Sequence, residues 1–148
     1  MQEAGRGTAE TLKLPKGGEA TLVDDAYNAN PESMRAAIEG FAARPGRKIV
    51  ALGEMRELGP DAASIHEDAG RAARAVGIDR LYTLGAMAGH AADGYGEQAQ
   101  RFEQIDDLVA ALRDGLDEGV TVLVKGSRGA RMERVVTALT GAAVEGAH

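Results

Sequence analysis

The stretch Asp24-Asp25-Ala26-Tyr27-Asn28-Ala29-Asn30-Pro31-Glu32-Ser33-Met34 joins a short apolar run, residues 20–23, to an amphipathic segment. Asn30 followed by Pro31 is typical of a helix start, because the amide oxygen can accept a free helix N–H and proline has no N–H to leave unsatisfied. Glu32 then lies in the first turn, where the helix dipole favours a negative charge. A strand that runs directly into a helix indicates an α/β fold.

Helix capping does not explain the polar residues that precede Asn30. Asp24, Asp25, Tyr27 and Asn28 follow the end of the apolar run, and a cap requires only one polar side chain. Open α/β sheets bind their ligands at such strand-to-helix turns. This turn is therefore a candidate site, and its acid pair could hold Mg²⁺ or accept the hydroxyls of a ribose.

The alternation of strand and helix continues along the chain. Short apolar runs typical of strands occur at residues 20–23, 49–52, 81–84, 100–102 and 120–124. Apolar residues at helical spacing indicate helices over residues 31–43, 61–76 and 87–92, and two more across residues 105–116 and 132–139. This order predicts a Rossmann-like, three-layer αβα domain with a mostly parallel sheet.

The second of these helices is expected to be capped by Asp61. Its spacing predicts that Ile65, Ala69, Ala72 and Val76 face the interior.

The same helix contains His66. His-Glu-x-x-His spacing is absent from the sequence. A structural role and a catalytic or ligand-binding role for His66 both stay open.

Glycine and apolar content predict the limits of the domain. Residues 1–18 contain four glycines and few apolar side chains, which favours an interdomain hinge or linker. Residues 19–141 carry the strand and helix pattern, and residues 142–148 are expected to form a tail.

Composition excludes several classes of protein. The net charge is −6 without a basic run, which argues against nucleic acid as a partner. Cysteine is absent from all 148 residues, so neither a disulfide framework nor a thiolate metal site is possible. No apolar segment approaches the roughly 18 residues that a membrane span needs. We expect a cytoplasmic protein with no membrane span.

The second candidate site is Lys125-Gly126-Ser127-Arg128-Gly129-Ala130-Arg131, which follows the apolar run 120–124. A lysine, a hydroxyl and free N–H groups before a helix suit a carboxylate or a phosphate. The order of residues is not that of a P-loop. The alternative is a glycine turn whose charges are merely solvated.

The polar residues are expected to gather at one edge of the sheet, because the carboxyl ends of parallel strands meet there. They are residues 24–28, 53–54, Gly85 and residues 125–128. A phosphorelay receiver domain also has an acid pair and a lysine at these places. It needs an acceptor aspartate after an intermediate strand, where this chain has Gly53-Glu54 and Gly85, so that reading is disfavoured.

Taken together, the motifs resemble the Mur ligases of peptidoglycan synthesis, specifically the MurF type. The matching pieces, in family order across residues 5–140, are Gly5-Arg6-Gly7, the stretch quoted above, Leu52-Gly53-Glu54-Met55-Arg56-Glu57-Leu58-Gly59, Ser64 with His66, and Val124-Lys125-Gly126-Ser127-Arg128-Gly129-Ala130-Arg131-Met132-Glu133. Cyanophycin-type and folylpolyglutamate ligases share the fold, but Tyr-Asn-Ala-Asn-Pro and Lys-Gly-Ser-Arg are similar to the MurF type.

The resemblance implies the C-terminal third of a ligase that joins D-alanyl-D-alanine to UDP-N-acetylmuramoyl-tripeptide through an acyl phosphate. It implies ATP and Mg²⁺, bound mainly by domains that are not in this sequence, and it assigns no metal ligand here. The nucleotide-binding candidates that it implies are Arg6, Asp25, Tyr27 and Asn28. The substrate-binding candidates are Lys125, Ser127, Arg128 and Glu54, of which Lys125 and Ser127 are the catalytic candidates.

The resemblance also implies that the central ATPase domain of the same ligase is a partner of this domain. The expected oligomeric state is a monomer. Two alternatives stay open: a stand-alone flavodoxin-like binding module without catalysis, and the C-terminal domain of another Mur-superfamily amino-acid ligase.

Overall fold

One six-stranded sheet runs through the computed structural model, which describes residues 8–15, 17–26, 30–56, 58–126 and 130–141. Its strands are Thr8–Lys13 (β1), Glu19–Asp25 (β2), Lys48–Leu52 (β3), Arg80–Leu84 (β4), Ala99–Phe102 (β5) and Thr121–Lys125 (β6). The α-helices of the described ranges are Pro31–Ala42 (α1), Ala62–Ala75 (α2), Gly89–Tyr95 (α3), Ile105–Gly115 (α4) and Glu133–Thr140 (α5).

The strand order is β1-β2-β6-β3-β4-β5. Strand β1 pairs antiparallel with β2, and the other four pairings are parallel. Strand β6 therefore lies between β2 and β3, although it is the last of the six along the chain. The predicted α/β fold with a mostly parallel sheet is confirmed.

Helices cover both faces of the sheet. Leu108 and Leu112 of α4 and Val135 of α5 share one core cluster with strand residues such as Val122. The opposite cluster joins Leu123 of the same strand to the buried residues of α1, α2 and α3: Met34, Ile38, Phe41, Ala69, Ala73, Ala91 and Tyr95. Neighbouring residues of one strand thus serve different clusters, as the pleat of a strand requires. The three-layer arrangement is the predicted one.

Helix α1 begins as the sequence predicts. The Asn30 side chain accepts the Ser33 N–H at 2.9 Å, and the Ser33 hydroxyl accepts the Asn30 N–H at 3.1 Å. Pro31 occupies the first helical position. These reciprocal bonds satisfy two N–H groups that the helix leaves open.

The predicted inward face of α2 is confirmed only in part: Ile65 and Val76 pack against the core while partly exposed. Ala69 is buried as expected, but the structure buries His66, Gly70 and Ala73 beside it, and Ile65 is only half-buried. The reason is the neighbouring helix α3, which approaches α2 more closely than large side chains allow.

The two helices meet at glycines. A Cβ atom on Gly70 would lie 1.9 Å from the Ala91 carbonyl oxygen, and one on Gly94 would lie 2.0 Å from the Glu67 carbonyl oxygen. The interface is therefore made by backbone and small side chains, which carry little of the hydrophobic signal that periodicity detects.

The start of α2 also differs from the prediction. Asp61 stands at the N-cap position but its side chain makes no capping hydrogen bond. A short 3-10 turn, Gly59–Asp61, leads into the helix instead.

Residues 8–13, which lie within the predicted hinge or linker, form β1. Its register runs from Thr8 opposite Asp24 to Lys13 opposite Glu19. Leu12 is the one residue of Ala9–Lys13 that is buried, so the strand shows no apolar run. An antiparallel edge strand needs only one covered face, and a single leucine supplies it here.

The described residues contain no helix of the length and apolarity that crossing a membrane requires.

Candidate functional site

The carboxyl edge of the sheet brings together three of the residues that the sequence selects. Strands β2 and β6 end at Asp25 and Lys125, which are direct partners in the parallel register. Strand β3 ends at Leu52, and the chain continues into Gly53 and Glu54. The predicted gathering of polar residues at this edge is confirmed for Asp25, Glu54 and Lys125.

Lys125 and Asp25 form a buried ion pair. The Lys125 Nζ donates to Asp25 Oδ2 at 2.8 Å, and the two side chains are 1% and 6% exposed. Removing two charges from water costs several kcal/mol per ion in general, and mutual attraction with good hydrogen-bond geometry is needed to offset that cost. A charged pair held at this place fixes an ammonium at the end of the central strand.

Asp24 and Asp25 do not act together. Consecutive residues of a strand point to opposite faces. Asp25 faces Lys125, whereas Asp24 Oδ1 accepts the Ala26 N–H at 3.2 Å and shapes the turn after β2. The adjacent carboxylates therefore do not converge on one cation, and no group of three or more metal-binding side chains occurs within the described ranges.

Glu54 connects the ends of β3 and β4. Its Oε2 accepts the Met87 N–H at 2.9 Å. Gly85 lies beside it with φ +103°, and a Cβ atom there would stand 2.7 Å from Oε2. A residue with a side chain would be strained at this backbone conformation and would displace the carboxylate. Two positions that the sequence selects separately, Glu54 and Gly85, are thus one structural unit.

Met132 packs closely against two glycines, one after β3 and one after β6. Cβ atoms on Gly53 and Gly126 would lie 2.4 Å and 2.6 Å from Met132 Cγ. The Gly53 N–H also donates to the Lys125 carbonyl oxygen at 2.8 Å, which extends the ladder of β3 and β6 by one bond. The start of α5 and the segment after β3 are therefore both packed against the end of β6.

Both ring nitrogens of His66 are bonded to backbone groups. Its side chain is fully buried, Nε2 accepts the Met55 N–H at 2.9 Å, and Nδ1 lies 2.8 Å from the Ala62 carbonyl oxygen. Burial, the largest influence, lowers the pKa of His66, while the bond to Ala62 and the charge of Glu54 oppose that shift. Both ring nitrogens have backbone partners, so neither ring nitrogen is left to bind a metal.

Similarity to a known protein family identifies the kind of domain that carries this site. The model of the Mur ligase, glutamate ligase domain matches residues 10–128. The chain belongs to the Mur ligase family. The matched range includes both Asp25 and Lys125, the two ends of the ion pair.

Two relatives of this Mur ligase domain carry the name UDP-N-acetylmuramoyl-tripeptide–D-alanyl-D-alanine ligase. The one from Escherichia coli is 41% identical over 120 residues, which are 80% of this chain and 26% of the relative. The one from Bacillus subtilis is 32% identical over 138 residues, which are 86% of this chain and 29% of the relative. The resemblance to the MurF type is confirmed, and the chain spans less than a third of the length of these relatives.

Solved structures agree with the fold of this Mur ligase domain. MurF from Acinetobacter baumannii matches with a TM-score of 0.78 at 28% identity, over 93% of this chain and 30% of the other. MurF from Thermotoga maritima, determined in complex with ADP, matches with a TM-score of 0.75 at 26% identity, over 89% of this chain and 30% of the other.

Three of the predicted site residues of the Mur ligase domain can be placed, namely Asp25, Glu54 and Lys125. The others, Arg6, Tyr27, Asn28, Ser127 and Arg128, lie outside the described residues. Of the nucleotide-binding candidates only Asp25 is described, and its buried carboxylate is bonded to Lys125. Asp25 thus holds the lysine in this structure, and its contact with the nucleotide stays a prediction. Sequence reasoning selected both residues but did not pair them.

Proposed function

We propose that this chain is the C-terminal domain of an ATP-dependent ligase that joins D-alanyl-D-alanine to UDP-N-acetylmuramoyl-tripeptide, a reaction of peptidoglycan precursor synthesis. The observation that carries the proposal is membership of the Mur ligase family together with the E. coli and B. subtilis relatives, which share this name along 80% and 86% of the chain. ATP and Mg²⁺ would be held mainly by domains outside this sequence, and the reaction would take place in the cytoplasm.

In the proposed reaction, a carboxylate of the tripeptide takes the γ-phosphoryl group of ATP, which forms an acyl phosphate and releases ADP. The free amine of D-alanyl-D-alanine then attacks the acyl carbon. A C–N bond forms, the C–O bond to phosphate breaks, and the amine loses a proton as phosphate leaves. Negative charge develops on oxygen in this step, and fixed cations stabilise such charge best when they need no rearrangement.

Lys125 is the described residue that fits this requirement. Asp25 keeps its ammonium at the carboxyl edge, 2.8 Å away, so the cation is oriented before substrate arrives. The side chain is 1% exposed in this chain, and we infer that it acts through its field and through the segment beside it. Asp25 is then the orienting partner of Lys125.

The remaining assignments extend the same proposal. Ser127 and Arg128, which follow Lys125 in the sequence, would bind the dipeptide carboxylate or the transferring phosphoryl group. Glu54 would lie on the substrate side of the edge. Arg6, Tyr27 and Asn28 would contact the nucleotide, and closure of this domain on the central one would exclude water from the site.

The description of the matched domain favours one competing function. It names a glutamate ligase domain, which leaves a ligase for another amino acid as the second candidate. The two candidates differ in the nucleophile, not in the phosphoryl donor, so one assay separates them.

The deciding experiment measures phosphate release by the full-length ligase with ATP, Mg²⁺ and UDP-N-acetylmuramoyl-tripeptide. D-alanyl-D-alanine, glutamate or no amine is added in parallel, and the 148-residue chain alone serves as the control. We expect release that depends on the dipeptide, and none from the control. Release that depends on glutamate, or on no amine, would overturn the proposed substrate.

A further inference from the structure

The buried imidazole of His66 has a defined tautomer. Its Nε2 lies 2.9 Å from the Met55 backbone nitrogen, which can only donate, so Nε2 must be the unprotonated acceptor. The hydrogen of the neutral ring is therefore on Nδ1, which donates to the Ala62 carbonyl oxygen at 2.8 Å. The ring is thus neutral. Its Nδ1 is bonded within α2, and its Nε2 is bonded to a residue outside that helix.

The outside partner belongs to residues 53–55, which we call the Glu54 segment. Each residue of this segment is held by a different element. The Gly53 N–H donates to the Lys125 carbonyl oxygen, the Glu54 carboxylate accepts the Met87 N–H, and the Met55 N–H donates to His66. The first contact is to the end of β6, the second is to the turn after β4, and the third is to α2.

The third contact depends directly on the protonation state of the His66 ring. A proton on Nε2 would turn the acceptor into a donor that faces the Met55 N–H, and the bond would be lost. Burial lowers the pKa of His66, and two charged groups act on it besides: Glu54 from the segment itself raises it, and His90 from α3 lowers it. The bond is therefore present at neutral pH and is lost on the acid side.

We propose that His66 is a positioning residue of the ligase reaction: its neutral imidazole holds the Glu54 segment beside the Lys125 end of β6, and protonation of Nε2 releases that segment. This inference rests on the function proposed above. It assigns His66 no contact with substrate, because the side chain is fully buried.

The first test is made on this chain by NMR. We expect the histidine ¹⁵N signals to show Nδ1 protonated and Nε2 bare at pH 7.5, with slow exchange of the Met55 amide hydrogen. As the pH falls below about 6.5, the ordinary pKa of histidine, protection of that amide should decrease with the titration of His66. An Nε2-protonated tautomer, or protection that is unchanged while His66 titrates, would overturn the proposal.

The second test uses two variants of the full-length ligase. His66→Gln places an amide oxygen near the position of Nε2 and keeps an acceptor that does not titrate. His66→Asn keeps the bond to Ala62 and loses the acceptor for Met55. We expect His66→Asn to raise the KM for D-alanyl-D-alanine, within the roughly 100-fold that a misplaced group can cost, while the KM for ATP stays unchanged.

His66→Gln should restore the dipeptide KM at pH 7.5 and remove its rise at acid pH. His90→Gln, at a half-exposed histidine of α3, is the matched control and should leave the dipeptide KM at pH 7.5 unchanged. A loss in kcat alone, equal in both His66 variants, would mean a merely structural residue and would overturn the proposal. If the wild-type ligase shows no dipeptide dependence, the proposed function fails and the positioning role with it, while the NMR result still decides whether the pH-sensitive bond exists.

Discussion

The Asp25 carboxylate and the Lys125 ammonium lie 2.8 Å apart, at side chains that are 6% and 1% exposed. Removal of one partner leaves the other charge buried and uncompensated, which costs about 3–5 kcal/mol in comparable pairs. We therefore expect Asp25→Asn to lower the free energy of unfolding by about this amount in urea denaturation. Replacement of both residues, as Asp25→Leu with Lys125→Met, should recover much of the loss.

The exposed pair of Arg71 and Asp68 is the control for that experiment. Its nitrogen and oxygen also lie close, at 2.7 Å, but the side chains are 57% and 59% exposed. Exposed pairs contribute about 0–1 kcal/mol, because water and salt screen them. If Asp68→Asn and Asp25→Asn proved equally costly, burial would not be what makes the Lys125 pair important.

The positions of Asp25, Glu54 and Lys125 at one edge could be predicted, because each lies one or two residues after an apolar run and parallel strands share an edge. The pairing of Asp25 with Lys125 could not. They are separated by 100 residues, and their contact depends on β6 lying next to β2 in a particular register. His66 stayed ambiguous for the same reason, since its acceptor role depends on the Met55 N–H, a backbone group that any residue type would supply.

Among the elements, helices α2 and α3 show the clearest departure from the sequence prediction. Periodicity selected the side of α2 that carries Ile65 and Val76, which packs against the core while partly exposed, but the structure also buries the side that contains Gly70. From the sequence alone, a glycine within a helix predicts a less stable helix, because it costs about 1 kcal/mol relative to alanine. Here the lost side chain is what allows the two backbones to approach.

Two glycines in helices give a matched test of this packing. A Cβ atom on Gly70 would lie 1.9 Å from the Ala91 carbonyl oxygen, whereas Gly40 in α1 has no atom within 4 Å of the corresponding position. We expect Gly40→Ala to raise the free energy of unfolding by about 0.5–1 kcal/mol. Gly70→Ala should lower it by about 1–3 kcal/mol, because the helices must separate. Thermal denaturation shows whether each variant is more or less stable than the wild type. A stabilised Gly70→Ala variant would contradict the close approach of the two helices.

Strand β1 is the element that the sequence prediction missed. Its buried residue, Leu12, lies in the same core cluster as Leu22 and Leu116. Leu12→Ala is expected to cost about 2–5 kcal/mol, as for other buried leucines. Glu10→Gln changes an exposed side chain of the same strand and should be nearly neutral. A neutral Leu12→Ala would mean that β1 contributes little to the folded domain.

At the scale of the whole molecule, the fold class follows from the alternation of strands and helices, but the order of the strands does not. The sequence predicts that strands alternate with helices and that crossovers are right-handed. It contains no local signal that the last strand is inserted at the centre of the sheet. The order of the strands depends on the sum of long-range contacts. The ion pair of Asp25 and Lys125 depends on that order, because it forms only when β2 and β6 are neighbours.

The central position of β6 governs when the domain can fold during synthesis. Strands β1 and β2 are made first and β3 to β5 next, but β2 and β3 are joined only through β6. Until residues 121–125 leave the ribosome, β2 and β3 lack the strand that joins them, and any edges that these strands expose are prone to mispairing. We expect ribosome-bound chains arrested with β6 still inside the exit tunnel to be cleaved rapidly by protease.

Chains arrested after a long linker beyond residue 141 should resist the same protease, and equal resistance at both arrest points would contradict this order of assembly. Strand β6, which joins β2 to β3, is therefore synthesised after all the other strands of the sheet. Before Lys125 emerges and pairs with Asp25, the edges of β2 and β3 lack the strand that covers them in the folded sheet.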